Sequence, residues 1–262
     1  MLNGDYRGRT VVVTGAAGGI GAAIAARFAV EAEVLSLWDR DPAVHKVAAE
    51  LPARSAHGVE LDVSDSDAVQ AAFDRFGAEH GTPDVVVHAA GLMVGGSPLA
   101  LDPQDWTRSL AVNATGTMLV AQRAAADMVS ASRGAIVVVS SNAAATPRVG
   151  MAAYGAAKAA ATSFTRSLAL EVAPHGVRVN LVSPGSTDTP MLRDMFGGTA
   201  LDDTAQNALF DGDPSVYRLG IPLRRIATPA DIAGAVHFLA SEDARHITMH
   251  DLRVDGGATL DM

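Results

Sequence analysis

The stretch Thr14-Gly15-Ala16-Ala17-Gly18-Gly19-Ile20-Gly21 decides the fold. Before it runs Arg9–Thr14, rich in β-branched residues; after it runs Ile20–Ala29, rich in alanine. A strand that turns into a helix through closely spaced glycines opens a βαβ unit. Gly15 permits a tight turn, Gly19 lets backbone approach a pyrophosphate, and Gly21 lets helix lie close on strand. With Gly18 and Ile20 they form a loop whose free N–H groups and helix dipole suit a phosphate. The same region has another reading, because Val11–Ala26 is uncharged and follows Arg7 and Arg9, as in a leader or short span. Four glycines inside it and Arg27 directly after it speak against a membrane helix.

The second strand, Glu33–Trp38, ends at Asp39-Arg40. A carboxylate there accepts both hydrogen bonds of an adenosine ribose diol and repels a 2′-phosphate, which points to NAD. Arg40 pulls the other way, since a guanidinium holds that phosphate. Asp62-Val63 follows the third strand, either as a contact for the adenine edge or as the start of a capped helix. Further strands are expected at Ser55–Leu61, Asp84–His88, Ala135–Ser140, Arg178–Val182 and Leu252–Val254. Helices are expected at Ala43–Glu50, Ser66–Glu79, Gln104–Val129, Met151–Val172 and Pro229–Ala240. Mostly continuous apolar strands alternating with helices predict an α/β fold: one doubly wound, Rossmann-type domain over 1–262, with a seven-stranded parallel sheet covered on both faces. Residues 189–222, with Gly197-Gly198 and Asp211-Gly212-Asp213-Pro214, read as an irregular lid over the site.

Composition narrows the function. The 262 residues carry a net charge of −9, so the basic footprint that nucleic acid requires is missing. There is no cysteine, which removes disulfides, thiol catalysis and cysteine metal sites and suits a cytoplasmic protein. No metal is expected, because His246 and His250 are four apart without an evident third ligand. No membrane partner is expected either.

Tyr154-Gly155-Ala156-Ala157-Lys158 puts a phenol and an ammonium on one helical face. The neighbouring ammonium is expected to lower the phenol pKa, so that Tyr154 takes a hydroxyl proton while hydride leaves the same carbon. Ser141, at the end of a buried strand, is placed to bind the substrate oxygen. Asn113, inside a long helix, either holds a water that relays protons toward Lys158 or marks a local kink.

Taken together, Thr14–Gly21, Asp62-Val63, Ala89-Ala90-Gly91, Asn113, Ser141, Tyr154, Lys158, Pro184-Gly185 and Asp255-Gly256-Gly257 resemble the short-chain dehydrogenase/reductase family over the whole chain. The resemblance implies a catalytic tetrad of Asn113, Ser141, Tyr154 and Lys158. It implies NAD as cofactor, with Tyr154 and Lys158 also contacting it. It implies that the segment after Pro184-Gly185 closes over the nicotinamide, with Thr187 and Thr189 as contacts. It also implies a homotetramer built on the long helices, with Asp255–Met262 reaching a neighbouring subunit. The chain has His88 where the family usually has an asparagine that braces the central strand. His88 either braces with a ring nitrogen or weakens cofactor binding.

Thr146–Met151, Ser183–Arg193, Leu219–Leu223 and His246–Thr248 narrow the resemblance. They are similar to members that oxidise a ring alcohol of a cyclohexadiene carboxylate, giving an aromatic dihydroxybenzoate for siderophores or other secondary metabolites. Such a substrate wants a cation, and Arg148 and Arg193 are the candidates, with Met151 and Met191 lining the ring. An amino-hydroxy ring acid, another cyclic alcohol or a ketone remains open as substrate. A non-enzymatic NAD-binding protein is disfavoured because the tetrad is intact.

Overall fold

A computed structural model describes residues 9–198 and 200–260. In chain order the first half carries β1 (Thr10–Thr14), α1 (Gly19–Ala29), β2 (Val34–Asp39), α2 (Ala43–Glu50), β3 (Ala56–Glu60), α3 (Ser66–His80) and β4 (Val85–His88). Then follow α4 (Pro103–Leu110), α5 (Gly116–Ala131), β5 (Gly134–Val139), α6 (Ala152–Val172) and β6 (Val177–Pro184). The last part carries α7 (Pro190–Asp194), α8 (Asp203–Asp211), the short strands β7 (Gly212–Asp213) and β8 (Arg218–Leu219), α9 (Pro229–Ala240) and β9 (Asp251–Val254).

The main sheet has seven strands in the order β3-β2-β1-β4-β5-β6-β9, and every pair is parallel. The order reverses between β1 and β4, which opens a crevice at the carboxyl ends of those strands. Alternation along the strands explains the two cores. Val11, Val13, Val85, Val87, Val137 and Val139 face one layer with Ile24 and Phe28 of α1 and Val236 and Leu239 of α9. Val12, Val86, Ile136 and Val138 face the other layer with Phe73 of α3, Val120 and Met128 of α5 and Ala169 of α6. Small residues on α5 and α6, such as Ala121, Ala124 and Ala161, are buried and let these helices approach the sheet closely.

Two expectations change. The helix expected over Gln104–Val129 is interrupted at Ala111–Thr115 by a π-helical turn centred on Asn113, as extra backbone inserted into a helix commonly does at functional positions. The described residues of 189–222 are more regular than the glycines and aspartates there suggest. Asp202 caps α8 by accepting from Ala205 N, and β7 and β8 pair as an antiparallel hairpin. These pieces enclose a small core of Leu192, Leu209, Ile221 and Ala258. At the carboxyl end, Asp255 packs within its own chain, bonded to Asn142, Gly257 and Thr259. Residues 261 and 262, the end of the segment expected to reach a neighbour, lie outside the described residues. Among the described residues no helix is long and apolar enough to cross a membrane.

Candidate active site

The glycine loop is shaped by steric necessity. A Cβ on Gly21 would sit 1.9 Å from Gly15 O, and one on Gly15 would sit 2.6 Å from Ala90 N. Helix α1, strand β1 and the segment after β4 therefore meet backbone to backbone. Gly15 and Gly19 have φ of +70° and +55°, a region where side chains are disfavoured. Asp39 ties the loop to the end of β2: Oδ2 accepts from Ala17 N at 2.9 Å and Oδ1 from Asp41 N at 3.0 Å. Asp62 accepts from both the backbone and the hydroxyl of Ser64, and these bonds hold its carboxyl below the usual range. The cap of α3 is Asp65 instead, so Asp62 heads a turn and faces the cleft.

That cleft has a volume of about 640 Å³ and runs over Gly15, Gly18, Gly19, Asp39, Arg40, Asp62 and Val63, then past Ala89, Ala90 and Gly91. It meets a second cavity of about 450 Å³ through Ile20, Ala89, Gly91, Thr189 and Met191, which line both. Ser141, Arg148, Met151, Tyr154, Lys158, Pro184, Gly185 and Thr187 line the second cavity. A nicotinamide dinucleotide fits this arrangement. The open backbone at Gly18 and Gly19, beside the amino end of α1, would hold its diphosphate; Asp39 would hold its adenosine ribose.

In the second cavity Tyr154 lies beside Ser141, whose hydroxyl favours its phenolate form, and Ser141 Oγ accepts from Ala143 N at 3.1 Å. Lys158 Nζ donates to Val139 O at 3.0 Å and stands 5.9 Å from the Tyr154 ring centroid. Both side chains are buried. The expected depression of the phenol does not occur in the chain by itself. Burial pushes Tyr154 up, against a smaller lowering by the Ser141 side chain, and burial brings Lys158 down to about 8. Lys158 is not among the groups that lower Tyr154, so burial decides the direction.

Asn113 and His88 line neither cavity and act from behind. Asn113 exchanges two hydrogen bonds with the backbone of Leu92: Oδ1 accepts at 3.0 Å and Nδ2 donates at 2.8 Å. Its Nδ2 also reaches Ser109 O. The side chain is thus committed to bracing the segment after β4, which a helical asparagine with free valences for water would not be. A Cβ on Gly91 would lie 3.2 Å from Asn113 Oδ1 and 3.3 Å from Lys158 Nζ, so these two groups converge on one glycine. His88 is fully buried and pairs with Thr14, as the bracing alternative requires.

Arg193 is a correction. Its Nε and Nη2 donate to the two oxygens of Asp188 at 2.8 and 3.0 Å, and it lines neither cavity. Five residues separate the partners, so the turn into α7 closes the pair locally. Arg218 on β8 lines the second cavity in its place. Sequence reasoning missed it, and its one signal was an arginine set among Val216, Tyr217 and Leu219 in an otherwise polar insertion.

A family model described as enoyl-(acyl carrier protein) reductase matches residues 15–259. The chain is 40% identical over 256 residues to 2,3-dihydro-2,3-dihydroxybenzoate dehydrogenase of Bacillus subtilis (strain 168), covering 97% of each. It is 40% identical over 258 residues to the enzyme of the same name from Escherichia coli (strain K12), covering 98% of this chain and 99% of the relative. A solved structure of a short chain dehydrogenase/reductase family protein superposes with a TM-score of 0.83 at 35% identity, over 97% of this chain and 98% of that one. Sheet order, glycine loop and these relatives agree: the chain belongs to the short-chain dehydrogenase/reductase family of oxidoreductases.

Proposed function

We propose that the chain is an NAD-dependent dehydrogenase that oxidises a ring alcohol of 2,3-dihydro-2,3-dihydroxybenzoate, giving 2,3-dihydroxybenzoate. The observation that carries this is the meeting of Tyr154, Ser141 and Lys158 in a cavity continuous with the glycine-loop cleft, in a chain 40% identical to dehydrogenases of that name. When bound, the nicotinamide supplies the hydride acceptor. Gly15, Gly18, Gly19, Asp39 and Asp62 would hold its adenosine and diphosphate parts, and Pro184, Gly185, Thr187 and Thr189 would border its ring.

Ser141 orients the substrate hydroxyl, and Tyr154 takes the proton as the carbon–hydrogen bond gives up its electron pair. Lys158, brought down to about 8 by burial, is a neutral amine in part of the molecules just above neutral pH, and in that form it takes up the phenol proton that Tyr154 gives away as Tyr154 accepts the substrate's. Asn113 holds the Leu92 backbone and so keeps the wall beside Lys158 fixed. The ketone so formed enolises to an aromatic ring, which makes oxidation the favoured direction. Residues 189–222 close over the bound ring as a lid. Exposed Trp106 on α4 and Leu170 on α6 support a homotetramer, and the acidic, cysteine-free composition supports a cytoplasmic protein.

The test is reduced-nicotinamide formation from 2,3-dihydro-2,3-dihydroxybenzoate with NAD and with NADP, with Tyr154→Phe as control. Turnover with NAD that the control loses is the expected result. Absence of turnover by a protein that binds NADH overturns the substrate assignment.

A further inference from the structure

Two guanidinium groups reach the Tyr154 cavity from different segments. Arg148 belongs to the loop between β5 and α6, and Arg218 belongs to the β7–β8 hairpin. They are close enough that the charge of Arg218 disfavours charge on Arg148. Neither is held by a direct ion pair, although the charges of Asp255 and Asp213 offset part of the cost at Arg148 and Arg218 respectively. Among the described residues Arg148 has no hydrogen-bond or ion-pair partner, and Arg218 donates only to Ser186 Oγ at 3.3 Å. The acids nearest them are engaged elsewhere. Asp255 accepts from Asn142, Gly257 and Thr259, and Asp213 accepts from the backbone and hydroxyl of Ser215. Burial lowers the pKa of both arginines, and the charge of Arg218 lowers that of Arg148 further, against smaller raising effects of Asp255 on Arg148 and Asp213 on Arg218.

Two like charges turned into a partly apolar cavity are costly unless an anion joins them. That anion is not the cofactor diphosphate, because neither arginine lines the glycine-loop cleft. The rest of the cavity selects a flat, apolar body: Met93, Met151, Met191 and Leu219 stand around it. Its size, about 450 Å³, suits one substituted ring beside the nicotinamide ring that Pro184, Gly185 and Thr187 would border.

We infer that Arg148 and Arg218 together anchor the carboxylate of the ring acid, one guanidinium on each oxygen, and set its alcohol toward Ser141 and Tyr154. A carboxylate has lone pairs for both forks. Ser186 fixes one edge of Arg218 and leaves the rest for the ligand. The bridge also ties the hairpin to the loop before α6, so that the substrate draws the wall over itself. The inference rests on the proposed function in one respect, that the alcohol is carboxylated.

The experiment compares wild type with Arg148→Gln, Arg218→Gln and Arg218→Lys, all with NAD or NADH present. The readouts are KM and kcat for 2,3-dihydro-2,3-dihydroxybenzoate, and calorimetric binding of benzoate and of neutral benzamide. NADH affinity equal to wild type certifies each variant as folded. Losing a bond to a charged group predicts a KM rise of roughly tenfold to a hundredfold for each Gln variant, with a smaller change in kcat. Arg218→Lys is expected to recover part of it. Benzoate is expected to bind wild type more tightly than benzamide, and the Gln variants are expected to lose that difference. Unchanged KM and unchanged benzoate preference in both Gln variants overturn the anchor and leave the proposed function standing. If wild type fails to turn over the substrate, the proposed function falls and the binding arm decides the anchor alone: a preference for benzoate that needs both arginines upholds it, and equal binding of benzoate and benzamide overturns it.

Discussion

Thr14 Oγ1 and His88 Nδ1 lie 2.9 Å apart between β1 and β4, and the rest of the bonding fixes which atom donates. Thr14 Oγ1 also accepts from Ala89 N at 3.2 Å and Ala90 N at 3.3 Å. With both lone pairs so used, the hydroxyl donates to Nδ1, and the ring proton sits on Nε2, which has no protein partner. Burial, and then the charge of Lys158, bring His88 down to about 3. Between pH about 6.5 and about 3 the unfolded chain binds a proton here that the folded chain refuses. Stability from this group is therefore complete above the unfolded pKa and is lost as pH falls toward 3. The loss is on the order of 4 kcal/mol across the window. His88→Asn keeps an acceptor for Thr14 and removes the titration. Urea titrations at pH 7 and pH 4.5 are expected to show a smaller acid loss in that variant than in wild type. An equal loss in both would place the acid sensitivity elsewhere.

Lys158 carries the opposite balance between stability and chemistry. Its pKa of about 8, lowered by burial, means that at pH 7 the fold holds an ammonium where it would rather hold none. Between pH 8 and the ordinary lysine value the unfolded chain binds the extra proton, so wild type gains stability with rising pH in that window. Lys158→Met is expected to be more stable than wild type at pH 7 by about 1–3 kcal/mol, and inactive. The advantage shrinks as pH rises past 8. Denaturation midpoints at pH 7 and pH 9.5 measure it. A Met variant less stable than wild type at pH 7 would show that the bond to Val139 O outweighs the desolvation of the amine.

Most of this frame was legible in the residues because it rests on local rules. The glycine loop, the acid at the end of β2 and the apolar runs of β1, β4, β5 and β6 each announce themselves within a few residues. Tyr154 and Lys158 share a helix face by spacing alone. What the sequence hid depends on distant partners. Asn113 lies in a helical pattern, and only the Leu92 backbone, brought beside it by the fold, explains the π-helical turn. Arg193 and Arg218 are alike as letters. Asp188, five residues away, claims the first, while a hairpin with no periodic signal delivers the second to the cavity. The direction of the Tyr154 shift also turned on burial, which spacing does not report.

Gly91 stands where Asn113 and Lys158 converge. A Cβ at 3.2 and 3.3 Å from their polar atoms is tighter than ordinary contact, and both side chains are held by backbone carbonyls, Leu92 O and Val139 O. Gly91→Ala is expected to displace Lys158 by a few tenths of an ångström and lower kcat roughly tenfold. The melting temperature should fall by only a few degrees, since φ at this residue is not in the positive region. Steady-state kinetics and a thermal melt separate the two effects. A kcat equal to wild type would mean that the wall behind Lys158 gives way without cost.

Asp39 has two duties that substitution separates. Its carboxylate accepts from Ala17 N and so holds the glycine loop, and its charge opposes a 2′-phosphate at the mouth of the cleft that Arg40 also lines. Asp39→Asn keeps one acceptor, which can serve Ala17, and removes the charge together with the second oxygen that accepts from Asp41 N. It is expected to raise the ratio of kcat/KM for NADP over NAD by roughly tenfold to a hundredfold, because Arg40 then meets the phosphate unopposed. Asp39→Ala removes both functions. It should move the ratio likewise and also lower stability by about 1 kcal/mol through the lost bond. Kinetics with both cofactors and denaturation of both variants test the division. An unchanged ratio in Asp39→Asn would show that Arg40 and the shape of the cleft, not the charge of Asp39, choose the cofactor.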